Sequence, residues 1–186
     1  MKTSALAAAA LIAAGLFSVT AHADPLVAPS VYGQYGHAGS RSGSDIYTLG
    51  ATAPIAWQSS VWGSQVGAYW DVYGSFIRSD GFRNASDNHT WLIGLTPTLR
   101  MRFDEGRSPW FVDGGVGVSV TDVIYRFKEK AFSTRFNFGS HVAVGYTFGA
   151  QRAQEVSLRV QHFSNAGIKK PNPGDTFVQL RYAHAF

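Results

Sequence analysis

The sequence predicts an all-β fold, an eight-stranded antiparallel transmembrane β-barrel of the outer-membrane type. Three observations predict it: an export signal at the N-terminus, repeated segments in which apolar and polar residues alternate, and an aromatic residue at the end of the last apolar strand face. The alternation has the period of two that is typical of a strand with two different faces. After the signal, no segment is continuously apolar over the length of about 20 residues that a spanning helix needs.

The N-terminal segment has the three parts of a secretory signal peptide. Met1 and Lys2 provide a short positive start, residues 5–19 are almost wholly apolar, and Ala21-His22-Ala23 has the small-x-small pattern of a cleavage site. We therefore expect residues 1–23 to be removed and the mature chain to begin near Asp24. Residues 24–186 are then expected to form a single outer-membrane barrel domain, because about 160 residues suit one domain.

Composition limits the classes of partner and of stabilising chemistry. Cysteine is absent, so disulfides cannot stabilise the fold even though the exported compartment would permit them. The chain carries 16 basic and 12 acidic side chains, a formal net charge of +4. These basic residues are scattered rather than clustered, which argues against nucleic acid as a partner.

Alternating segments account for most of the mature chain. Between residues 89 and 103 one face is nearly all apolar, with Trp91, Ile93, Leu95 and Leu99, while the opposite face is largely small or polar. Most of these segments approach the 9–11 residues that cross a bilayer at a tilt. Eight strands are predicted, with starts near the following residues: Val31, Asp45, Gly63, His89, Trp110, Arg135, Glu155 and Thr176.

Connections between these strands alternate between two ends of the predicted barrel. With the N-terminus in the periplasm, turns at residues 53–60, 104–108 and 149–154 lie on the periplasmic side. The outer connections are then residues 36–44, 78–88, 121–134 and 165–174. A barrel of eight strands has a narrow lumen filled by side chains, and the glycines and short polar residues of the second face fit it.

The direction of the apolar face separates a membrane barrel from a soluble one. A soluble ligand-binding barrel of lipocalin type has the same strand count with its apolar face turned inward, and alternation alone leaves both open. Phe186 shares its strand face with Val178, Leu180 and Tyr182, and such a terminal aromatic resembles the signature of outer-membrane barrels. Together with the Trp-rich apolar face and the glycine-rich opposite face, it favours the membrane barrel.

Two polar residues interrupt the apolar face of the seventh strand. His162 and Ser164 follow Val156, Leu158 and Val160 at the same parity. Residues two apart on a strand are separated by roughly 6.6 Å, a gap that an imidazole can bridge to reach a hydroxyl as its general base. On these two residues alone, the plainer interpretation is favoured, that the strand has reached the headgroup layer where polar side chains are tolerated.

The residues around this pair are more specific. The string HFSNAGIKKPN, residues 162–172, resembles the motif of the outer-membrane lipid A 3-O-deacylase family, PagL, in which it ends the seventh strand. The resemblance implies a serine esterase in which Ser164 attacks the acyl ester and His162 accepts and returns the proton. It also implies that Asn165 stabilises the oxyanion. Gly167 either lends a backbone N–H or permits a turn, and we favour the turn.

The acid of the implied catalytic triad departs from the family pattern. In one member of that family a glutamate lies twelve residues after the serine, and this chain has Thr176 in that position. Asp175 is the nearest acid and is our choice for the residue that orients His162. A shift of one residue turns a side chain to the opposite face of a strand, so Asp175 requires a bulge or loop to absorb the offset. Otherwise Thr176 hydrogen-bonds the imidazole.

The resemblance also implies the partner and the location. The substrate is lipid A of lipopolysaccharide, the protein lies in the bacterial outer membrane among its lipids, and the site faces the outer leaflet. Lys169 and Lys170 are candidates for contacts with lipid A phosphates, or else ordinary soluble loop residues. No cofactor is implied, and the histidines lack metal-ligand spacing with acids. A non-catalytic structural or adhesion barrel and a lipid A acyltransferase stay as alternatives, and homodimer formation is left open.

Overall fold

The computed structural model describes residues 26–81 and 88–186, so the predicted signal peptide lies outside the described residues. Eight antiparallel strands close into a barrel in the order β1, β10, β9, β8, β5, β4, β3, β2. Two further short strands, β6 and β7, form a separate hairpin. The bounds are β1 Ser30–His37, β2 Asp45–Val61, β3 Ser64–Ser79, β4 Asn88–Arg102, β5 Trp110–Thr121, β6 Arg126–Phe127, β7 Lys130–Ala131, β8 Phe136–Phe148, β9 Gln154–Ser164 and β10 Asp175–Ala185.

The predicted fold class is confirmed, and each of the eight barrel strands begins within one residue of its predicted start. The first and last strands pair from Ser30 opposite Ala185 to His37 opposite Val178, which leaves no sheet edge. Closure is what a spanning sheet requires, because lipid offers the backbone no hydrogen-bond partners. In the described part of the chain, no helix has the length and apolar character to cross a membrane.

The first predicted turn is wrong. Residues 53–60 belong to β2, which continues to Val61 with a register shift between Ile55 and Gln58. The chain reverses instead at Trp62 and Gly63, whose φ angles are 49° and 71°. Positive φ at both central positions is the geometry of a two-residue hairpin turn, which matches the twist of the two strands.

Apolar side chains face outward from the barrel and polar ones face inward, as predicted. Leu49, Ile93, Val116 and Val142 are each more than 60% exposed, whereas the alternate positions of their strands are largely buried. Aromatic residues mark the two ends of this apolar belt, with Trp110 packed on Tyr146 at one end and Phe76 packed on Trp91 at the other. An outward apolar band between aromatic girdles is the surface of a transmembrane barrel.

Large charged side chains fill the half of the lumen that is nearer the chain termini. The carboxylate of Asp71, fully buried, lies 3.0 Å from Arg159 and 3.3 Å from Arg181. A second buried pair joins Arg100 and Asp113 at 2.8 Å. We expected glycines and short polar residues here, but glycines instead make room for larger neighbours. A Cβ on Gly145, for example, would collide with the ring of Phe111.

The opposite end of the lumen is closed by an apolar cluster. Residues 122–135, here called the mouth loop, connect β5 to β8 and contain the β6–β7 hairpin. Tyr125, Phe127 and Phe132 of this loop are at most 3% exposed and pack on one another with ring centroids 5.2–6.4 Å apart. Phe163 of β9 and Phe177 of β10 belong to the same cluster, so the mouth loop is anchored to the two strands that carry the candidate site.

Candidate active site

His162 and Ser164 occupy the last two outward positions of β9, at the end of the barrel that the mouth loop closes. The imidazole is exposed and the serine is half-buried. Ser164 pairs with Phe138 of β8 and lies one residue beyond the end of the β9–β10 ladder. From Val156, level with the Trp110–Tyr146 pair, the strand rises about 27 Å to Ser164, or about 20 Å along the membrane normal at the usual tilt. Ser164 therefore lies near the rim of the apolar belt.

The imidazole of His162 is held by Thr176. The two residues face each other across β9 and β10, and Nδ1 of His162 lies 2.8 Å from Oγ1 of Thr176. This bond occupies one ring nitrogen and leaves Nε2 for another partner. His162 and Ser164 are themselves not hydrogen-bonded within the described residues, and the two side chains share one face of the strand.

Asp175 does not make the contact that we expected of it. It pairs with Phe163, and its side chain is 2% exposed on the lumen side of β10. The ladder between β9 and β10 runs without a register shift from Asp175 to His184, so no bulge turns the carboxylate outward. The alternation of faces therefore gives the contact to Thr176, and a role for Asp175 in the reaction stays a prediction.

Asp175 is instead bonded to the mouth loop. Its Oδ2 accepts a hydrogen bond of 2.8 Å from the Tyr125 hydroxyl, and its Oδ1 accepts one of 3.0 Å from the Thr176 backbone N–H. The Tyr125 hydroxyl also lies 2.6 Å from Oγ of Ser44. Burial, together with the nearby Asp175 carboxylate, raises the pKa of Tyr125 well above its ordinary value. Tyr125 was not singled out from the sequence, because fifty residues separate it from Asp175.

Gly174 leaves room for the imidazole. Its φ is +61°, and a Cβ built on it would lie 2.7 Å from Cε1 and 3.1 Å from Nε2 of His162. Real Cβ contacts are not that short, so a side chain here would displace the ring. The sequence placed Gly174 only in the connection before the last strand. The proximity of the ring adds a second reason for glycine at this position.

The side chain of Asn165 forms its hydrogen bonds within and next to the loop that follows β9. This loop, residues 165–174, is here called the motif loop. Asn165 is fully buried, and its Nδ2 lies 2.8–3.2 Å from three acceptors: Ser133 Oγ, Thr134 Oγ1 and the Lys169 carbonyl. In this conformation both amide protons are directed at these acceptors, and the side chain ties the motif loop to the mouth loop. A role for Asn165 in stabilising the oxyanion stays a prediction.

Gly167 has the conformation of a turn residue. Its φ is +80°, and its backbone N–H donates to Oδ1 of Asn165 at 3.0 Å. That donor is therefore not available to an oxyanion, in line with the turn interpretation that the sequence favoured. The N–H of Asn165 is also engaged, with Oδ1 of Asn172 at 3.0 Å. Within the described residues the Ala166 N–H has no partner, and Ala166 is exposed with φ +53°.

A further polar residue, missed in the sequence, lies beside the pair. Ser140 of β8 is directly opposite His162, so Ser140, His162 and Thr176 form a row across three neighbouring strands. Each interrupts an otherwise apolar outer face at the same level. The signal was present in the alternation, because Ser140 occupies the apolar parity of β8 between Phe138 and Val142.

Two lysines extend from the motif loop into solvent. The side chains of Lys169 and Lys170 are exposed, and the carbonyl of Lys169 accepts hydrogen bonds from Asn165 and from Ser133. The backbone that carries the cations is thus fixed relative to Ser164. Across residues 26–81 and 88–186, no cluster of three or more histidine and acidic side chains is arranged to hold a metal ion.

Comparison with known proteins assigns the family. A family model described as lipid A 3-O-deacylase (PagL) matches residues 45–185. The lipid A deacylase PagL of Bordetella bronchiseptica is 32% identical over 134 residues, which are 68% of this chain and 71% of that protein. The lipid A deacylase PagL of Pseudomonas aeruginosa is 26% identical over 129 residues, 68% of this chain and 70% of that protein.

A solved structure shares the fold. The crystal structure of the outer membrane enzyme PagL superposes with a TM-score of 0.69 at 23% sequence identity, over 84% of this chain and 99% of that one. At this identity the likeness concerns the fold alone, and the family assignment comes from the sequence matches. On the family model and the Bordetella relative, the chain belongs to the PagL family of lipid A 3-O-deacylases.

Proposed function

We propose that the protein is an outer-membrane serine esterase that removes a 3-O-linked hydroxyacyl chain from lipid A. The observation that carries this proposal is the bond of 2.8 Å between Nδ1 of His162 and Oγ1 of Thr176, on the strand face that also carries Ser164. An imidazole that donates Nδ1–H to a hydroxyl has its lone pair on Nε2, where a general base needs it. Family membership supports the same substrate class.

The proposed reaction has two halves. Nε2 of His162 takes the proton of the Ser164 hydroxyl as Oγ attacks the ester carbonyl, and the tetrahedral intermediate collapses to an acyl-serine. His162 returns the proton to the departing sugar oxygen. Water then attacks the acyl-serine with His162 again as base, which releases a hydroxy fatty acid and restores Ser164.

The oxyanion needs hydrogen-bond donors that are not already committed. The Asn165 side chain and the Gly167 N–H both have partners within the two loops. The Ala166 N–H has no partner among the described residues and follows the serine by two positions, in a left-handed conformation that non-glycine residues rarely adopt. We assign it as an oxyanion donor. A preorganised backbone N–H is the usual donor for this charge.

The surface around Ser164 suits a substrate that stays in the membrane. Below the pair, on the apolar belt, the outward residues of β9 and β10 include Val160, Leu158, Val178 and Leu180, each 42–59% exposed. An acyl chain lying along these strands would keep its apolar surface out of water while its ester reached the rim. Lys169 and Lys170 are held beyond the rim, where a cation meets a phosphate. Both features favour the outer leaflet as the location of the substrate.

Mass spectrometry of lipid A tests the proposal directly. Purified lipopolysaccharide incubated with the protein in detergent should lose the mass of one hydroxyacyl chain, and Ser164→Ala should abolish this loss. Ser140→Ala, which removes another outward serine beside His162, is the matched control and should keep activity. A substrate without an acyl group at the 3-position should be unreacted. A gain of one chain would indicate an acyltransferase instead, and an unchanged spectrum with the wild-type protein would indicate a structural barrel.

A further inference from the structure

The mouth loop contacts the candidate site on two sides, next to Ser164 at the end of β9 and next to Thr176 at the start of β10. Its Ser133 and Thr134 receive hydrogen bonds from Asn165, the residue that follows the proposed nucleophile. Its Tyr125 bonds Asp175, the residue that precedes the partner of the proposed base. We infer that Tyr125 is a positioning residue, which sets the orientation of His162 from inside the barrel through Asp175 and Thr176. This inference rests on the proposed function.

The path from Tyr125 to His162 consists of short contacts. The Tyr125 hydroxyl is 2.8 Å from Oδ2 of Asp175, and the other oxygen of that carboxylate is 3.0 Å from the backbone nitrogen of Thr176. The side chain of Thr176 then reaches Nδ1 of His162 at 2.8 Å. The carboxylate thus restrains the first two residues of β10, and with them the hydroxyl that holds the imidazole.

The direction of each hydrogen bond follows from the groups present. The Tyr125 hydroxyl has one proton, and an ionised carboxylate can only accept, so the tyrosine donates to Asp175. It accepts in turn from the Ser44 hydroxyl at 2.6 Å. Because Asp175 is buried, bulk water does not replace a lost donor. Without the Tyr125 hydroxyl the carboxylate keeps only its bonds to the Ser42 side chain and the Thr176 N–H, and it is less firmly held in place.

The Tyr125 ring and its hydroxyl have separable functions. The ring packs with Phe127 and Phe132 in the apolar cluster that closes the barrel. The hydroxyl lies at the edge of that cluster and is the group that reaches β10. Tyr125→Phe therefore keeps the ring and deletes the hydrogen bonds of the hydroxyl to Asp175 and Ser44.

The barrel contains a matched bond far from the site. The hydroxyl of Tyr69 donates to Oδ2 of Asp113 at 2.8 Å, also buried, but in the half of the lumen that is nearer the chain termini. Tyr69→Phe therefore removes the same kind of hydrogen bond without touching the mouth loop. Any general effect of losing a buried tyrosine hydroxyl should appear in both variants.

Steady-state deacylation kinetics of the full-length barrel in detergent micelles test the inference. Tyr125→Phe should lower kcat about tenfold or more with little change in KM, because a displaced base affects the reacting geometry rather than substrate binding. Tyr69→Phe should keep the wild-type kcat per folded molecule. The folded fraction is measured from the electrophoretic mobility of unheated samples.

A double-mutant cycle separates this path from a loss of packing. If Tyr125 acts through Asp175, the two substitutions should not be additive. The kcat of the variant that combines Tyr125→Phe with Asp175→Asn should then be no lower than that of the less active single variant. Additive losses, or a wild-type kcat in Tyr125→Phe, would overturn the inference. Should Tyr125→Phe not fold, Ser44→Ala removes another partner of the same hydroxyl and is expected to lower kcat with little change in KM. If Ser164→Ala stays active, the proposed function fails instead.

Discussion

His162 of β9 and Thr176 of β10 are direct cross-strand neighbours, and Nδ1 of the imidazole lies 2.8 Å from the threonine Oγ1. In a serine-histidine-acid triad a carboxylate occupies this place, where it fixes the ring and stabilises the imidazolium that forms during attack. The neutral hydroxyl of Thr176 can fix the ring, but it stabilises the imidazolium charge only weakly. The carboxylate of the adjacent residue, Asp175, lies on the lumen side of β10 and bonds the backbone of Thr176 rather than the ring.

Replacing Thr176 should reveal how much the hydroxyl contributes. Thr176→Val keeps the shape but removes the acceptor, and we expect kcat to fall about tenfold or more because the ring is no longer held. Thr176→Ser should keep most activity. Initial rates of acyl release from lipopolysaccharide measure both, and equal rates for the valine and serine variants would show that the hydroxyl is dispensable.

Gly174 allows the position of the imidazole to be tested by a steric change. Gly174→Ala introduces a Cβ that would approach the His162 ring to 2.7 Å, and we expect a marked fall in kcat with the barrel still folded. Gly63→Ala is the matched control, since Gly63 also has a positive φ, +71°, but an added Cβ meets nothing within 4 Å. Both variants carry backbone strain. If they lose activity equally, contact with the ring is not the cause.

Asn165 should matter for the stability of the two joined loops. Asn165→Asp keeps the size but removes the amide protons directed at Ser133, Thr134 and the Lys169 carbonyl, and places a carboxylate against those oxygens. A buried polar group left unsatisfied costs about 1–3 kcal/mol, so the melting temperature and the deacylation rate should both fall. Gln58→Glu makes the same chemical change at an exposed position and should alter neither. Wild-type protease resistance of the motif loop in Asn165→Asp would contradict this prediction.

Tyr125 gives the protein a dependence on alkaline pH. Its pKa is raised well above 10.0 by burial and by Asp175, so the fold retains the phenol proton that the unfolded chain loses near pH 10.0. The contribution of this phenol to the stability of the fold is complete below pH 10.0. It declines as the pH rises from there through the raised pKa. Melting temperatures measured from pH 8 to pH 12 should therefore fall more steeply for the wild-type protein than for Tyr125→Phe. Parallel curves would contradict the assignment.

Strand positions were readable from the sequence because each residue on the membrane-facing side meets lipid and each alternate residue meets the lumen. The period of two fixed the parity of His162 and Ser164 correctly for the same reason. The turn between β2 and β3 was not readable, because Pro54, Ser59 and Ser60 have turn-like character although they lie in a long strand. The conformations of Trp62 and Gly63 determine where the chain reverses.

The partners of the site residues depend on contacts between distant parts of the chain. Whether Asp175 or Thr176 faces His162 is decided by the register of β9 against β10, which the motif loop sets and no local pattern specifies. The hydrogen bonds from the Asn165 amide to the mouth loop likewise join residues about thirty positions apart in the sequence. Such pairings follow from the closed topology, so they become visible only when the strands are placed around the barrel.

Under the proposed function, the outward direction of His162 and Ser164 determines how substrate reaches the site. The lumen is filled by side chains and its mouth is closed, so a lipid reaches these residues by sliding sideways along the membrane rather than through a pore. The relevant concentration is then the number of substrate molecules per unit area of leaflet. Under the proposed function, turnover should respond to the packing and lateral mobility of neighbouring lipids, even where the amount of lipid in the suspension is unchanged.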